Sequence, residues 1–275
     1  MDINITGATR LNVIVGDPIA QVKSPGGMTR AFAARGHDGV VVPVQVSTAD
    51  LADFLDLADR LHNLDGIIVT VPHKFACYAH CASATARGEF LGAVNIMRRR
   101  SDRRWHGEMV DGLGFLGAVR AKGCNPAGKR ALLVGAGGAG SAIGLALVDA
   151  GVRELAIHDQ DVARRDGLIT RLNAKGMGRA IIGTPDPTGF DLVGNATPAG
   201  MKPGDPFPID VARLSPGAFV GCVITVPAAS PMIEAARTVG CSTSTGTDMY
   251  HALQGAMLDF LLFADAVSTE LHASP

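Results

Sequence analysis

The chain has 275 residues, enough for one large or two modest domains that bury a core without disulfide or metal staples. Twenty-five Lys and Arg against 26 Asp and Glu leave a net charge of −1, which excludes a domain-scale electrostatic nucleic-acid binder and gives no reason to expect a membrane surface as partner. Hydrophobic residues at 47% and charged residues at 19% describe a folded globular chain, and its 34 glycines follow no Gly-X-Y period, which excludes collagen and assigns them to turns and close backbone approaches.

In chain order, the opening MDINITGATRLNVIVG has no basic segment leading into an apolar one, so no signal peptide is expected. The pattern then predicts strand Leu11–Val15, helix Thr29–Ala34, strand Val40–Val46, helix Ala49–Leu61, strand Ile67–Val71, helix Phe75–Cys81, strand Ala93–Met97 and helix Gly114–Ala121. It continues with strand Ala131–Val134, helix Gly140–Ala150, strand Glu154–His158, helix Val162–Asn173, strands Arg179–Ile182, Leu192–Asn195 and Phe219–Thr225, helix Met232–Val239, and a long amphipathic helix Tyr250–Leu271. Strand and helix alternating at this spacing argue for βαβ units and parallel sheets, and the nearly all-apolar strands for burial on both faces. A boundary falls near Asp111–Phe115, giving two α/β domains, and the last helix could close on either. Arg98–Arg100 with Arg103–Arg104 reads as a solvated hairpin turn, followed by Trp105 and a structural His106. Ala131–Val148 is uncharged like a membrane span, but its glycines cost a continuous helix about 1 kcal/mol each, so strand, turn and helix fit better. The five cysteines, Cys77, Cys81, Cys124, Cys222 and Cys241, are odd in number and irregularly spaced, which points to free thiols in a reducing, cytoplasmic setting. Cys77 and Cys81 read as core thiols rather than zinc ligands, Cys222 as buried and inert, and no metal site is expected.

The stretch ALLVGAGGAGSAIGLALVDAG has the order strand, glycine turn, helix. Gly135, Gly137 and Gly140 fit G-x-G-x-x-G: a tight turn, a close backbone approach to a pyrophosphate, and helix packing on the strand. Ala136, Gly138 and Ala139 complete the turn, whose helix N-terminus offers unsatisfied N–H groups to phosphate. The next strand ends at Asp159, 24 residues after Gly135, where a carboxylate accepts hydrogen bonds from a ribose 2′-OH and repels a 2′-phosphate. NAD is therefore expected over NADP; against this, Arg164 or Arg165 could reach back to a 2′-phosphate, and Asp159 could be a capping residue.

In the first domain the strand before TVPHK delivers Lys74 to the carboxyl end of a parallel strand, where open α/β sheets bind ligands. At this point the chain resembles the shikimate/quinate dehydrogenase family. The matching pieces, in family order, are VGDPIAQVKSP, IIVTVPHK, GAVN, Asp111–Phe115, VGAGGAG, NATPAGM and Gln254–Ala256. The resemblance implies a substrate domain of residues 1–111 completed by 248–275, a Rossmann-type dinucleotide domain of residues 112–247, and a cleft between them. It implies Lys74 and Asp111 as the catalytic pair. A lysine desolvated in a cleft can take an alcohol proton near neutral pH while a carboxylate fixes its position. Asn95, Gln254, Thr70 and Ser24 would hydrogen-bond a cyclic hydroxy-acid substrate. Asn195, Ala196, Thr197 and Met201 would lie under the nicotinamide, with Val223 and Gly246 also on the cofactor. A homodimer is left open.

The departures bear on the substrate. The family's Ser-x-Ser-Pro, whose serines hold the substrate carboxylate, reads Val22-Lys23-Ser24-Pro25, and one lost charge-assisted hydrogen bond costs about 1.5–3 kcal/mol. Lys23 could supply a replacement charge. The family's Asn-Thr before the catalytic Asp is Met109-Val110, its Asp and Tyr on the later strand are Cys222 and Thr225, and Gly26–Thr29 replaces a segment ending in His-Asn. The expected activity is an NAD-dependent interconversion of a ring alcohol and a ketone on a shikimate- or quinate-like acid. One alternative is a dehydrogenase of a less polar substrate, favoured by Val22, Met109 and Val110. The other is a non-catalytic ligand-binding regulator, opposed by the presence of both Lys74 and Asp111.

Overall fold

The computed structural model describes residues 4–176 and 178–263. The chain forms two compact units, one running to Met109 and resuming at Gln254, the other Val110–Leu253.

The first unit contains β1 (Arg10–Gly16), α1 (Ser24–Ala34), β2 (Gly39–Gln45), α2 (Leu51–Arg60), β3 (Leu64–Val69), α3 (Lys74–His80), β4 (Ser83–Ala84), α4 (Ala86–Leu91), β5 (Ile96–Arg99) and β6 (Trp105–Glu108). Its sheet order is β2-β1-β3-β5-β6-β4. β1 runs parallel to β2 and β3, but β5 is antiparallel to both β3 and β6, so this sheet is mixed where a parallel one was expected. The reason is the short Arg100–Arg104 turn, closed by Arg100 N–H to the Arg104 carbonyl, which leaves no length for a parallel crossover. Alternate residues Val13 and Val15 of β1 and Ile67 and Val69 of β3 meet Leu51, Leu55 and Ala58, one stripe of α2, in a single core cluster.

The arginine hairpin is less solvated than its sequence suggested. The Arg99 guanidinium stacks 3.9 Å from the Trp105 ring, and burial pushes its pKa down. Arg98 lies over Phe260. The short α4 was not foreseen: Thr85 caps it by accepting the Gly88 N–H, and Gly92 ends it at φ 62°. Six residues carry too little periodicity to be read from sequence.

The second unit contains α5 (Asp111–Ala121), β7 (Arg130–Val134), α6 (Gly138–Asp149), β8 (Glu154–His158), α7 (Val162–Ala174), β9 (Ala180–Ile182), β10 (Leu192–Asn195), β11 (Phe219–Cys222), α8 (Pro231–Val239) and β12 (Ser242–Ser244). Its sheet is parallel throughout, in the order β12-β11-β10-β7-β8-β9. The chain builds outward from β7 through β8 and β9, then returns to lay β10 on the other side of β7. The β7/β10 junction is therefore a topological switch point, where open α/β sheets take ligands. α5 approaches α6 closely because Gly112 sits against the Ala142 carbonyl, where a side chain would clash.

α9 (Gly246–Leu262) crosses the division between the units at Leu253. It begins four residues before the expected start at Tyr250, and the expected continuation over residues 264–271 lies outside the described residues. No helix among the described residues is long and apolar enough to cross a membrane; the uncharged Ala131–Val148 stretch is β7, a turn and most of α6.

Candidate active site

The expected site residues fall into two sets, one in each unit. In the first unit they gather where β1 and β3 end and β5 begins. Thr70 follows β3, its N–H donating to the Val15 carbonyl at 2.9 Å, and its methyl lies where a Gly16 side chain would stand. Asn95 precedes β5 and is 3% exposed; its carbonyl accepts the Val69 N–H and its N–H donates to Glu108. Lys74 is the first residue of α3, and its carbonyl accepts the Val94 N–H at 3.0 Å. Backbone hydrogen bonds thus join the Thr70, Lys74 and Asn95 segments. Ser24 opens α1 and is buried, whereas Lys23, the cap residue of that helix, is exposed. Val22 is half-buried beside them. Gln254 lies half-buried on α9.

Met109 and Val110 are fully enclosed, so their apolar side chains serve packing. Sequence reasoning passed over Glu108. Its carboxylate accepts the Thr85 hydroxyl at 2.8 Å and the Met109 N–H at 2.6 Å, which fixes the segment leading into Asp111. Only its place three residues before Asp111 signalled it.

In the second unit Asp111 is the buried first residue of α5. The cofactor set meets at the carboxyl ends of β7, β10, β11 and β12. Gly135 adopts φ 102°, a left-handed conformation reserved for glycine, with its missing side chain facing the Ala196 backbone. Gly140 lies so close to the Gly135 carbonyl that a methyl group could not fit. Gly137, the cap of α6, faces open space and no side chain caps the helix. Ala136, Gly138 and Ala139 complete the turn. A pyrophosphate fits this arrangement: room at Gly137, and helix N–H groups left for an anion.

Ala196 donates its N–H to the Val134 carbonyl at 2.7 Å, fastening the loop after β10 to the end of β7. Asn195 holds that loop from within. Its Oδ1 accepts the Thr197 N–H at 3.0 Å and hydroxyl at 2.7 Å, while Nδ2 donates to the Ala199 carbonyl and to Cys222 Sγ, both at 3.4 Å. Cys222, buried as expected, also accepts the hydroxyl of Ser230, the cap of α8, which the sequence reading missed. Val223 donates to the Asn195 carbonyl, and Gly246 packs on the backbone of Val223 and Ile224 with no room for a side chain. Met201 is half-buried against the core of this unit. Asp205, also missed, accepts the N–H groups of Gly200 and Lys202, the residues on either side of Met201.

Among the described residues no group of His, Cys, Asp and Glu is arranged to hold a metal ion. Cys77 is a core thiol, as read from sequence, and Cys81 is half-buried against the same core; burial pushes the pKa of each up to about 12. His106 accepts or donates to Ser83 through Nδ1 and stacks on Phe260, and His251 is exposed.

Residues 14–97 match the family model of the shikimate dehydrogenase substrate binding domain. A shikimate dehydrogenase (NADP(+)) of Rubrobacter xylanophilus is 36% identical over 249 residues, covering 88% of this chain and 87% of the relative. The chain belongs to the shikimate dehydrogenase family. Solved structures of the family superpose on it. The shikimate 5-dehydrogenase of Listeria monocytogenes, in complex with shikimate and NAD, has a TM-score of 0.82 at 27% identity over 95% of this chain and 94% of that one. The quinate dehydrogenase of Corynebacterium glutamicum, in complex with NAD, gives 0.79 at 28% identity over 92% and 94%. The chain is thus a shikimate/quinate dehydrogenase-type oxidoreductase, an NAD(P)-dependent alcohol dehydrogenase with a substrate-binding and a Rossmann-like domain.

The family membership corrects the expected cofactor. Curated relatives are NADP(+) enzymes by name, which overturns the ranking of NAD above NADP. The structure shows why Asp159 misled. Its carboxylate accepts the Ala136 N–H at 2.6 Å and the Asp161 N–H at 2.8 Å, so it braces the glycine turn. The cap of α7 is Asp161, not Asp159. A carboxylate engaged by one amide of the glycine turn and one of its own loop is not by that position a reader of the ribose.

Proposed function

We propose that the chain interconverts a secondary ring alcohol and its ketone on a shikimate- or quinate-like cyclic hydroxy acid, with NADP(H) as the hydride carrier. The observation that carries this reading is the glycine cradle at the switch point of the second sheet. Gly135 and Gly140 are locked against backbone while Gly137 alone faces open space, beside a loop fastened by Asn195. The bound nicotinamide supplies the hydride acceptor. Lys74 Nζ takes the hydroxyl proton as the C–H hydride departs, and returns it in the reverse direction. In this reading Asp111 is the second catalytic group, the acidic one. Ser24, Thr70, Asn95 and Gln254 offer neutral donors and acceptors to the ring hydroxyls, and Lys23 a charge for the carboxylate. The loop Asn195–Met201, with Val223 and Gly246, sides the nicotinamide. In this reading residues 1–111 with 248–275 hold the substrate and residues 112–247 the dinucleotide.

The test is initial-rate absorbance at the reduced-nicotinamide band with shikimate and quinate, each with NADP and with NAD. Turnover on either acid with NADP is the expected result. Lys74→Ala should lower kcat by about 10²–10⁴-fold, the usual worth of a general base, while dinucleotide binding persists. Dinucleotide binding without turnover on either acid would refute the substrate assignment. Full activity in Lys74→Ala would refute the role of Lys74.

A further inference from the structure

We propose that His73 is the positioning residue of Lys74. The inference rests on the reading of Lys74 as proton acceptor and concerns what holds that lysine in place. His73 is 1% exposed, although it lies in the connection between β3 and α3 where side chains on either side reach solvent. Its Nε2 lies 2.7 Å from the carbonyl of Val46. A carbonyl only accepts, so Nε2 carries the hydrogen and donates it. Val46 in turn donates its N–H to the Gly16 carbonyl at the end of β1. The ring therefore ties the residue next to Lys74 to the segment after β2 and, through it, to β1.

The backbone of His73 is engaged as well. Its N–H donates to Thr70 at 3.1 Å, and its carbonyl accepts the Cys77 N–H that starts the α3 ladder. α3 is only seven residues long, too short to be rigid by its own hydrogen bonds. Its first residue is Lys74, and a small rotation of the helix start carries the end of a lysine side chain several ångströms. The side chain of His73 removes that freedom at the adjacent residue. A buried imidazole with a single strong acceptor is otherwise an expensive way to fill space that Leu or Phe would fill.

The experiment compares wild type with His73→Phe, which fills the space without a donor, and His73→Asn, which is smaller and restores an N–H. Steady-state kinetics are read alongside the 13C-methyl NMR signals of reductively methylated protein. The chain has six lysines, and the Lys74 signal is assigned by its loss in Lys74→Arg. His73→Phe should lower kcat at least 10-fold with both KM values within about 3-fold, and should move the Lys74 signal to the position of exposed lysines. His73→Asn should recover most of kcat and of the signal. Kcat within 2-fold of wild type in His73→Phe, with the Lys74 signal unmoved, would overturn the proposal. So would a loss of kcat matched by an equal rise in KM and not recovered in His73→Asn. Should wild type not turn over, the reading of Lys74 fails, and the Lys74 signal alone then decides whether His73 places it.

Discussion

The two glycines of the α6 turn should respond oppositely to the same methyl group. Gly137 sits at φ −69° and ψ −168°, a conformation open to any residue, and a side-chain carbon built there meets nothing within 4 Å. Alanine at a helix cap is worse than glycine by roughly 0.5 kcal/mol, and this is offset by about 0.4–1 kcal/mol from the reduced freedom of the unfolded chain. Gly137→Ala should therefore leave Tm within a degree or two. The space its methyl enters is the space a pyrophosphate needs, and losing one charge-assisted hydrogen bond of about 1.5–3 kcal/mol weakens dinucleotide binding roughly 10- to 150-fold. In Gly140→Ala the new carbon falls on the Gly135 carbonyl, which is backbone and cannot rotate away. Overpacking of this kind costs about 1–3 kcal/mol, and at roughly 2–4 °C per kcal/mol Tm should fall by several degrees before any ligand is added. Thermal denaturation and titration of NADPH fluorescence read the two effects separately. NADPH affinity within 2-fold of wild type in Gly137→Ala, with Tm unchanged, would show that the cradle does not take the pyrophosphate.

Three further outcomes follow from the same reasoning. The Cys77 and Cys81 thiols ionise at about 12 in the folded chain, above the unfolded range, so their contribution to stability is complete below about pH 9 and is lost as pH rises through 12. The unfolding free energy from urea titrations should fall between pH 8 and about pH 10.5 by on the order of 2 kcal/mol per thiol, less so in Cys77→Ala, and a stability rising with pH would contradict the burial argument. Val22→Ser should lower KM for a carboxylate-bearing substrate about 10-fold, one charge-assisted hydrogen bond's worth, and no change in KM would remove Val22 from the substrate's surroundings. Asp205 is held below its ordinary carboxylate value, foremost by the Lys202 N–H, then by those of Gly200 and Met201. Asp205→Ala should loosen the Met201 loop and raise the Kd for NADPH a few-fold while leaving the Kd for the ring acid in place, as isothermal titration would show.

What was legible in the sequence was periodicity and punctuation. Val13, Val15, Ile67 and Val69 alternate into one core, and Leu51, Leu55 and Ala58 recur on one side of α2, so the elements of the first unit were readable one at a time. Helix starts were not: α1, α3, α5 and α6 begin at Ser24, Lys74, Asp111 and Gly138, one to five residues before the apolar pattern declares itself, because these first residues are polar or glycine and carry no apolar periodicity. The hairpin of β5 and β6 was legible in its arginine-rich turn, but the antiparallel pairing of β5 with β3 was not, because it depends on how the chain returns through α3, β4 and α4.

The residues of the candidate site divide along the same line. Gly140 could be read from spacing, since what it packs on is the Gly135 carbonyl five positions before it, whereas the Ala196 backbone that Gly135 faces lies far along the chain. Asp159 could not. Its position at the end of β8 is equally suited to reading a ribose and to bracing the turn at Ala136, and which one it does depends on an N–H that lies 23 residues earlier in the chain. Glu108 and His73 are the same case in the first unit, each defined by a partner across the fold, Thr85 for one and Val46 for the other. A motif names a residue by what it can donate or accept; only the fold says to whom. A carboxylate or imidazole already committed to backbone therefore carries less information about cofactor or substrate than its place in a motif suggests, and more about what keeps the neighbouring reactive group still.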